Sequence, residues 1–294
     1  MALTVNTNIS SLVAQHNLSK ATISLNQAIE RMTTGSKINR AADNAAGYSI
    51  AKNWEVKLSS LDIAADNAAT GSDLLSTLED NCSLIQSHLQ RVKDLTEQAA
   101  NGTYGTSSRN AIESEITARL DEIDRIAKNC EFNDIYLLKG DTTLTTNGLT
   151  FQVGLDGTSD SKITVDKTVF KSATSAALLG DSTNADTYIG ADKEAIADAC
   201  SGSNASAQLT KLSKAIEAIS TRITKIGAAG NRIDSAIESI SVQSENITSS
   251  LSTLRDADIA SESSRYIQAQ ILQQAASTLL STANQTPSIA LNLL

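Results

Sequence analysis

From Leu61 to Ala99 apolar or small residues recur at unbroken steps of three and four: Leu61, Ala64, Ala68, Gly71, Leu75, Leu78, Cys82, Ile85, Leu89, Val92, Thr96 and Ala99. A seam of this period is a heptad repeat and predicts a helix that packs against other helices. Begun at Asp43, a candidate N-cap, and stopped before Asn101-Gly102, the helix has about fifty-five residues and a length of roughly 80 Å at 1.5 Å per residue. A compact globule of this chain length is only ~50 Å across, so the pattern predicts a rod. Ile112, Ile116, Leu120, Ile123, Ala127 and Cys130 mark a second helix that ends before the Asn133-Asp134 turn. Ile226, Ile233, Ile237, Ile240, Ile247, Leu251 and Leu254 mark a third, and three long seams imply a bundle.

The period changes in the middle of the chain. Phe151, Val153 and Leu155 alternate on one side of a Gly/Asp/Ser loop, with Ile163 and Val165 on the other, and this predicts a β-hairpin. Residues 140 to 205 carry nine acids against four lysines, five of the chain's nine net negative charges. Residues 171–205, rich in Ser, Ala, Asp and Gly, read as a small subdomain or a mobile loop at the surface. The predicted fold is mainly α: a long antiparallel coiled-coil bundle formed by the N- and C-terminal halves, with a small β-hairpin and a short variable loop region. The expected domains are 1–42 with 256–294, 43–170 with 206–255, and the surface segment 171–205.

Composition and charge narrow the function. Lys plus Arg number 24 against 33 Asp plus Glu, which argues against nucleic acid, since phosphate binding rests on clustered basic side chains. Ala and Ser together make up roughly a quarter of the chain, well above ordinary globular usage, and such small residues let helices approach closely. Pro287 is the single proline, so almost no position forbids helix. No apolar run approaches the ~18 residues that would suggest membrane insertion. The opening MALTVNTNIS lacks the basic and apolar regions of a Sec signal, so Sec export is not expected. Cys82, Cys130 and Cys200 have no metal-ligand spacing and an odd count, which predicts reduced thiols. The first two lie on helix seams, where they are expected to act as small buried hydrophobes.

The two ends are nearly bare of charge. Residues 1 to 19 carry no ionisable side chain except His16, and residues 266 to 294 none except Tyr266. Each end is amphipathic, with Val5, Ile9 and Leu12 in the first and Tyr266, Ala269, Leu272, Ala276, Leu279 and Ala283 in the second. Each has more than one apolar face, because Ile267 and Ile271 lie off the Leu272 stripe. A terminal hairpin docked only on its own domain would put Lys or Glu toward water, and these faces offer Gln, Ser, Thr and Asn instead. Other subunits are therefore expected to cover the remainder, with folding of the ends coupled to self-assembly.

At this point particular motifs can be matched. VNTNISSLVAQHNL (5 to 18), RMTTGSKINRAADNAAGYSIA (31 to 51), LQRVKDLTEQAANGT (89 to 103) and LDEIDRIAKNCEFNDIYLL (120 to 138) resemble the N-terminal half of bacterial flagellin. IGAAGNRIDSAIESI (226 to 240), LRDADIASESSRYIQAQILQQAASTLLSTANQ (254 to 285) and the final LNLL resemble its C-terminal half, in the same order. The resemblance implies a short, near core-only filament subunit: termini as the inner tube, bundle and hairpin as the outer tube, and a thin acidic outer surface. It implies export through the flagellar type III apparatus to an extracellular filament, without cofactor. The implied partners are copies of itself, an export chaperone, and filament cap and hook-junction proteins. Assembly contacts are expected at Val5, Ile9, Leu12, Leu272, Leu279, Leu291, Leu293 and Leu294. A host Toll-like flagellin receptor is expected to read Gln90, Arg91 and Leu95 on one helix with Glu115 on the next. Lys93 and Asp94 stand where Arg and Glu are commoner in the family. An intracellular flagellin sensor is expected to use the C-terminal segment. The three cysteines depart from the usual family composition.

Chemistry is sparse. His16 and His88 form no H-E-x-x-H zinc site, and no phosphate-cradling glycine loop occurs. Asp256, Asp258 and Glu262 cluster near a helix junction, where capping and polar links are favoured over a cation site. An enzyme is therefore not expected. The alternatives are a hook-filament junction protein with the same terminal architecture, or a chemoreceptor-like signalling coiled coil, which would have no reason for a mid-chain hairpin.

Overall fold

A computed structural model describes residues 7–179 and 205–291, with side chains described for 7–179 and 208–285. The elements in order are α1 (Ile9–Thr34), α2 (Ala45–Ala100), α3 (Thr106–Asn129), β1 (Glu131–Phe132), β2 (Ile135–Tyr136), α4 (Thr142–Asn147), β3 (Leu149–Gln152), β4 (Lys162–Val165), α5 (Ser175–Leu179), α6 (Ala205–Arg255) and α7 (Ile259–Leu291). They form two compact units, residues 1–59 with 244–294 and residues 60–243, so the division falls inside α2 and α6 rather than at the helix junctions near 42 and 256.

Local chemistry sets the helix ends. Asn8 caps α1 by accepting the Ser11 N–H at 3.1 Å, and Gly35, at φ +68, closes it in the left-handed conformation that glycine adopts without strain. The 56 residues of α2 match the predicted length, but its cap is Asn44, which accepts the Gly47 N–H at 2.9 Å, rather than Asp43. Asp43 instead accepts the N–H groups of Arg40 and Asn39, and these bonds hold its carboxyl below the usual carboxylate range.

In the 60–243 unit the seams meet as predicted. All twelve seam positions from Leu61 to Ala99 are buried, as are Ile112, Ile116, Leu120, Ile123, Ala127 and Cys130 of the second series. Thr96, the polar member, donates its hydroxyl to Val92 O at 2.8 Å. Ile226, Ile233 and Ile240 of the third series are buried, whereas Ile237 is half-buried, as are Ile247, Leu251 and Leu254 in the other unit. The Arg91–Glu115 and His88–Arg119 contacts set α2 and α3 antiparallel. Gln86 donates to Ser220 Oγ of α6 at 2.9 Å.

The predicted hairpin is β3–β4, with Phe151 opposite Ile163 and Leu149 opposite Val165. A second, shorter one, β1–β2, turns on Asn133 and Asp134, whose φ of 50 and 64 give the two-residue turn that matches strand twist. The predicted surface segment begins inside the core: Ala173, Ser175 and Leu179 are buried, and Arg222 of α6 donates to the carbonyls of Lys171 and Ser172. The rest of that segment, residues 180–204 with Cys200, lies outside the described residues.

Gly71 seats the hairpin on α2. A Cβ there would lie 2.9 Å from Phe151 Cδ1, so overpacking outweighs the ~1 kcal/mol that alanine normally adds to a helix interior. Gly230 of α6 has open space around the same position. Gly71→Ala is expected to destabilise the unit by about 1–2 kcal/mol, and Gly230→Ala to stabilise it by up to ~1 kcal/mol. Chemical denaturation of both monomeric variants checks this, and the same sign for both would contradict the packing of Phe151.

Candidate assembly interface

Within the unit made of the chain's two ends, α1 and α7 pair antiparallel. Asn8 Nδ2 donates to Ala283 O at 2.7 Å, Ser11 Oγ to Asn284 Oδ1 at 2.8 Å, and Gln273 Nε2 to Thr22 Oγ1 at 3.2 Å. Arg31 meets Glu262 at 3.3 Å at the other end of the pair. The seam between the helices is alanine. Ala14, Ala21 and Ala28, spaced by seven, are buried on α1, and Ala269 and Ala276 on α7. Leu18 and Leu25 fill the intervening positions half-buried, as Gln273 and Leu280 do on α7.

Most of the large apolar side chains point the other way. Ile9 is 66% exposed, Leu12 60%, Leu272 53% and Leu279 64%, and Val13, Ile23, Ile267 and Ile271 are exposed as well. Each would contribute about 1.5–3 kcal/mol if buried. The single stripe expected on the last helix is in fact two faces: Ala269 and Ala276 turn to α1, whereas Leu272 and Leu279 turn outward. Leu272 and Leu279 also edge a groove of about 340 Å³ with Ala14 and Ala21. Of the other expected assembly residues, Val5, Leu293 and Leu294 lie outside the described residues, and Leu291 ends α7 with its side chain outside them. The α1 side of the seam, Ala14, Ala21 and Ala28, was not singled out in the sequence, whereas Ala269 and Ala276 belong to the predicted stripe of the last helix.

The acidic cluster near the helix junction acts as expected. Asp258 caps α7 by accepting the N–H groups of Ala260 and Ser261. Asp256 forms a backbone bridge with Ser36, while Glu262, 5% exposed, binds both Arg31 and Arg265. Arg255 binds Glu55 and donates from Nε to Ser36 Oγ at 3.1 Å. No group of three His, Cys, Asp or Glu suited to a metal occurs among the described residues.

The residues expected to meet a receptor separate. Arg91 donates to both carboxylate oxygens of Glu115, at 3.1 and 3.5 Å, and Gln90 is exposed beside them. Leu95 is 2% exposed, which corrects its assignment to that surface. It lies one position off the heptad seam, and packing against several elements buries a stripe wider than the seam, as it also does for Leu74.

Antiparallel helices drawn from the two halves of one chain, with a heptad core in one unit and a thin alanine seam in the other, define a mainly α coiled-coil protein. Residues 5–143 match the bacterial flagellin N-terminal helical region, and residues 209–294 the bacterial flagellin C-terminal helical region. The chain is 34% identical over 305 residues to a flagellin of Bacillus subtilis, covering 99% of both chains. It is 35% identical over 326 residues to a flagellin of Xenorhabdus nematophila, covering 100% of both. Among solved structures, a putative flagellar hook-associated protein from Vibrio parahaemolyticus shares the fold, with a TM-score of 0.58 at 16% identity over 73% of this chain and 100% of that one. The chain belongs to the bacterial flagellin family.

Cys82 and Cys130 are free and buried, in keeping with a packing role. Burial pushes their thiols up to about 12 and about 11, from 9.0. Because the folded values are raised, the stability linked to these protons is full below pH 9.0 and is lost as pH rises toward 11 and 12. A Cys82→Ala, Cys130→Ala double variant should therefore show a shallower fall of stability between pH 9 and pH 11 in denaturant titrations than the parent chain. Equal slopes would contradict the burial of the two thiols.

Proposed function

We propose that the chain is the structural subunit of a bacterial flagellar filament, polymerising with copies of itself and performing no catalysis. The observation that carries this reading is the outward face of α1 and α7, where Ile9, Leu12, Leu272 and Leu279 stand exposed on a pair whose interior is filled by alanine. Family membership supports it, and relatives named flagellin match over nearly their whole length. The hook-filament junction alternative has only the fold likeness at 16% identity behind it. The signalling alternative has no reason for the mid-chain hairpin that the chain forms as β3–β4.

Delivery to the cell exterior through the flagellar type III apparatus, with an export chaperone, filament cap and hook-junction proteins as partners, fits this role. A host Toll-like flagellin receptor would meet Arg91 and Glu115 with Gln90, whose side chains are accessible, while Leu95 would support that surface from beneath. An intracellular sensor would take the C-terminal segment.

Leu272→Asp with Leu279→Asp places charge on the outward face and leaves every alanine of the seam in place. Negative-stain microscopy should show long filaments from the parent chain and none from this variant, with the helical circular dichroism of the two monomers alike. Filaments from the variant would exclude that face from assembly. In the receptor assay, Arg91→Ala should weaken activation by monomer at unchanged thermal stability. Leu95→Ala should lower stability by about 2–5 kcal/mol, as buried Leu→Ala changes do.

A further inference from the structure

The sequence holds two Asn-Gly pairs, Asn101-Gly102 and Asn147-Gly148. Such a pair can deamidate without an enzyme. The glycine amide nitrogen loses its proton and attacks the asparagine side-chain carbonyl carbon. A new C–N bond forms, ammonia leaves with a proton, and a five-membered succinimide results. Water then adds to either ring carbonyl and opens one C–N bond, giving aspartate or isoaspartate. Glycine favours the attack because no Cβ hinders its nitrogen. The reaction also needs an amide N–H that is free of a hydrogen bond, and a backbone able to turn the nitrogen toward the side chain.

We propose that Asn101 is a site of spontaneous deamidation in the folded chain and that the fold protects Asn147. Asn101 directly follows the last residue of α2, and residues 101 to 103 are exposed. Among the described residues the Gly102 N–H has no acceptor, and a Cβ built on Gly102 would meet nothing within 4 Å. Thr103 N–H donates to Asn101 Oδ1 at 3.2 Å, which draws electron density from the carbon under attack. Asn147 is the reverse case. It is the last residue of α4, and the Gly148 N–H is held by Leu144 O at 2.9 Å. Gly148 is also wedged against the hairpin, where a Cβ would lie 2.3 Å from Val165 O. Attack at Asn147 requires that bond to break and the start of β3 to lift.

The product matters at this place in the fold. A carboxylate at residue 101 stands where the last carbonyls of α2 already concentrate negative potential. Isoaspartate would add a methylene to the backbone of the turn, in which Tyr104 N–H donates to Asn101 O at 3.4 Å and Gln98 Nε2 donates to the Tyr104 hydroxyl at 2.9 Å. Conversion therefore loosens the α2–α3 connection and adds one negative charge.

The test is incubation of the folded full chain at mildly alkaline pH, followed by peptide mass mapping and labelling with an isoaspartyl-specific methyltransferase. The peptide containing Asn101 should gain the mass of an amide-to-acid conversion at least about tenfold faster than that containing Asn147, the factor one hydrogen bond can supply. Asp156-Gly157 carries no amide and gives no mass change, and any isoaspartate formed there is labelled in its own peptide, which the mass mapping separates from that of Asn101. In denaturant the two rates should converge. Gly102→Ala, which enters open space, should slow conversion at Asn101 and leave Asn147 unchanged. Equal rates in the folded chain, a faster Asn147, or no effect of Gly102→Ala would each overturn the proposal.

Discussion

Ala14, Ala21 and Ala28 on one helix and Ala269 and Ala276 on the other bring two backbones close together while taking little surface from water. A buried methylene contributes only about 0.8 kcal/mol, whereas fixing the backbone of one residue costs about 1–2 kcal/mol. A helix pair sealed by methyl groups therefore gains little from its own interior. Of the side chains that could add more, Leu18, Leu25 and Leu280 are half-buried, while Ile9, Leu12, Leu272 and Leu279 face outward. The other unit places its Leu and Ile residues inside, where Leu78, Ile85, Leu89, Ile116 and Leu120 meet. One chain thus contains a unit with a core of large side chains and a second whose apolar area remains open to other molecules, and the assembly reading follows from that contrast.

Where a seam is built from large side chains it could be read directly from the sequence. Every seam position predicted between Leu61 and Ala99 is buried, because Leu and Ile at steps of three and four have a single face to hide. The hairpin at Phe151 and Ile163 was equally legible from its alternation. At the ends of the chain the apolar stripes were visible, but which stripe faces the partner helix was not. Leu272 and Ala276 look alike to a periodicity count and differ in which fits a close approach of backbones. Leu95 was misassigned for a related reason: the heptad seam marks the centre of a buried stripe, and its width depends on how many elements pack around the helix. Gly71 was counted as a seam residue, while its role in receiving the Phe151 ring depends on a contact eighty residues away in sequence, which no local pattern records.

An alanine seam also carries a problem of register. Alanines repeating every seven residues face alanines again after a slip of one heptad, so apolar contact alone barely distinguishes the two alignments. The polar groups at the ends of the pair do distinguish them. Arg31 with Glu262, Asn8 with the Ala283 carbonyl, and Gln273 with Thr22 are each made only in the observed alignment. Glu262 is 5% exposed, and a slip would take Arg31 from it and leave it only Arg265, three residues on in the same helix. A hydrogen bond to a charged group contributes about 1.5–3 kcal/mol, more than the ~0.8 kcal/mol the seam gains or loses with one alanine methyl. The same end is tied down by backbone, with Lys37 N–H on Arg255 O at 2.7 Å and Ala257 N–H on Gly35 O at 2.8 Å. Buried polar groups fixing register in this way follow the logic of a single polar residue in a coiled-coil core. For a helix pair whose outward face has to match copies of itself, a unique register is the condition for Leu272 and Leu279 to stand at the same height in every copy.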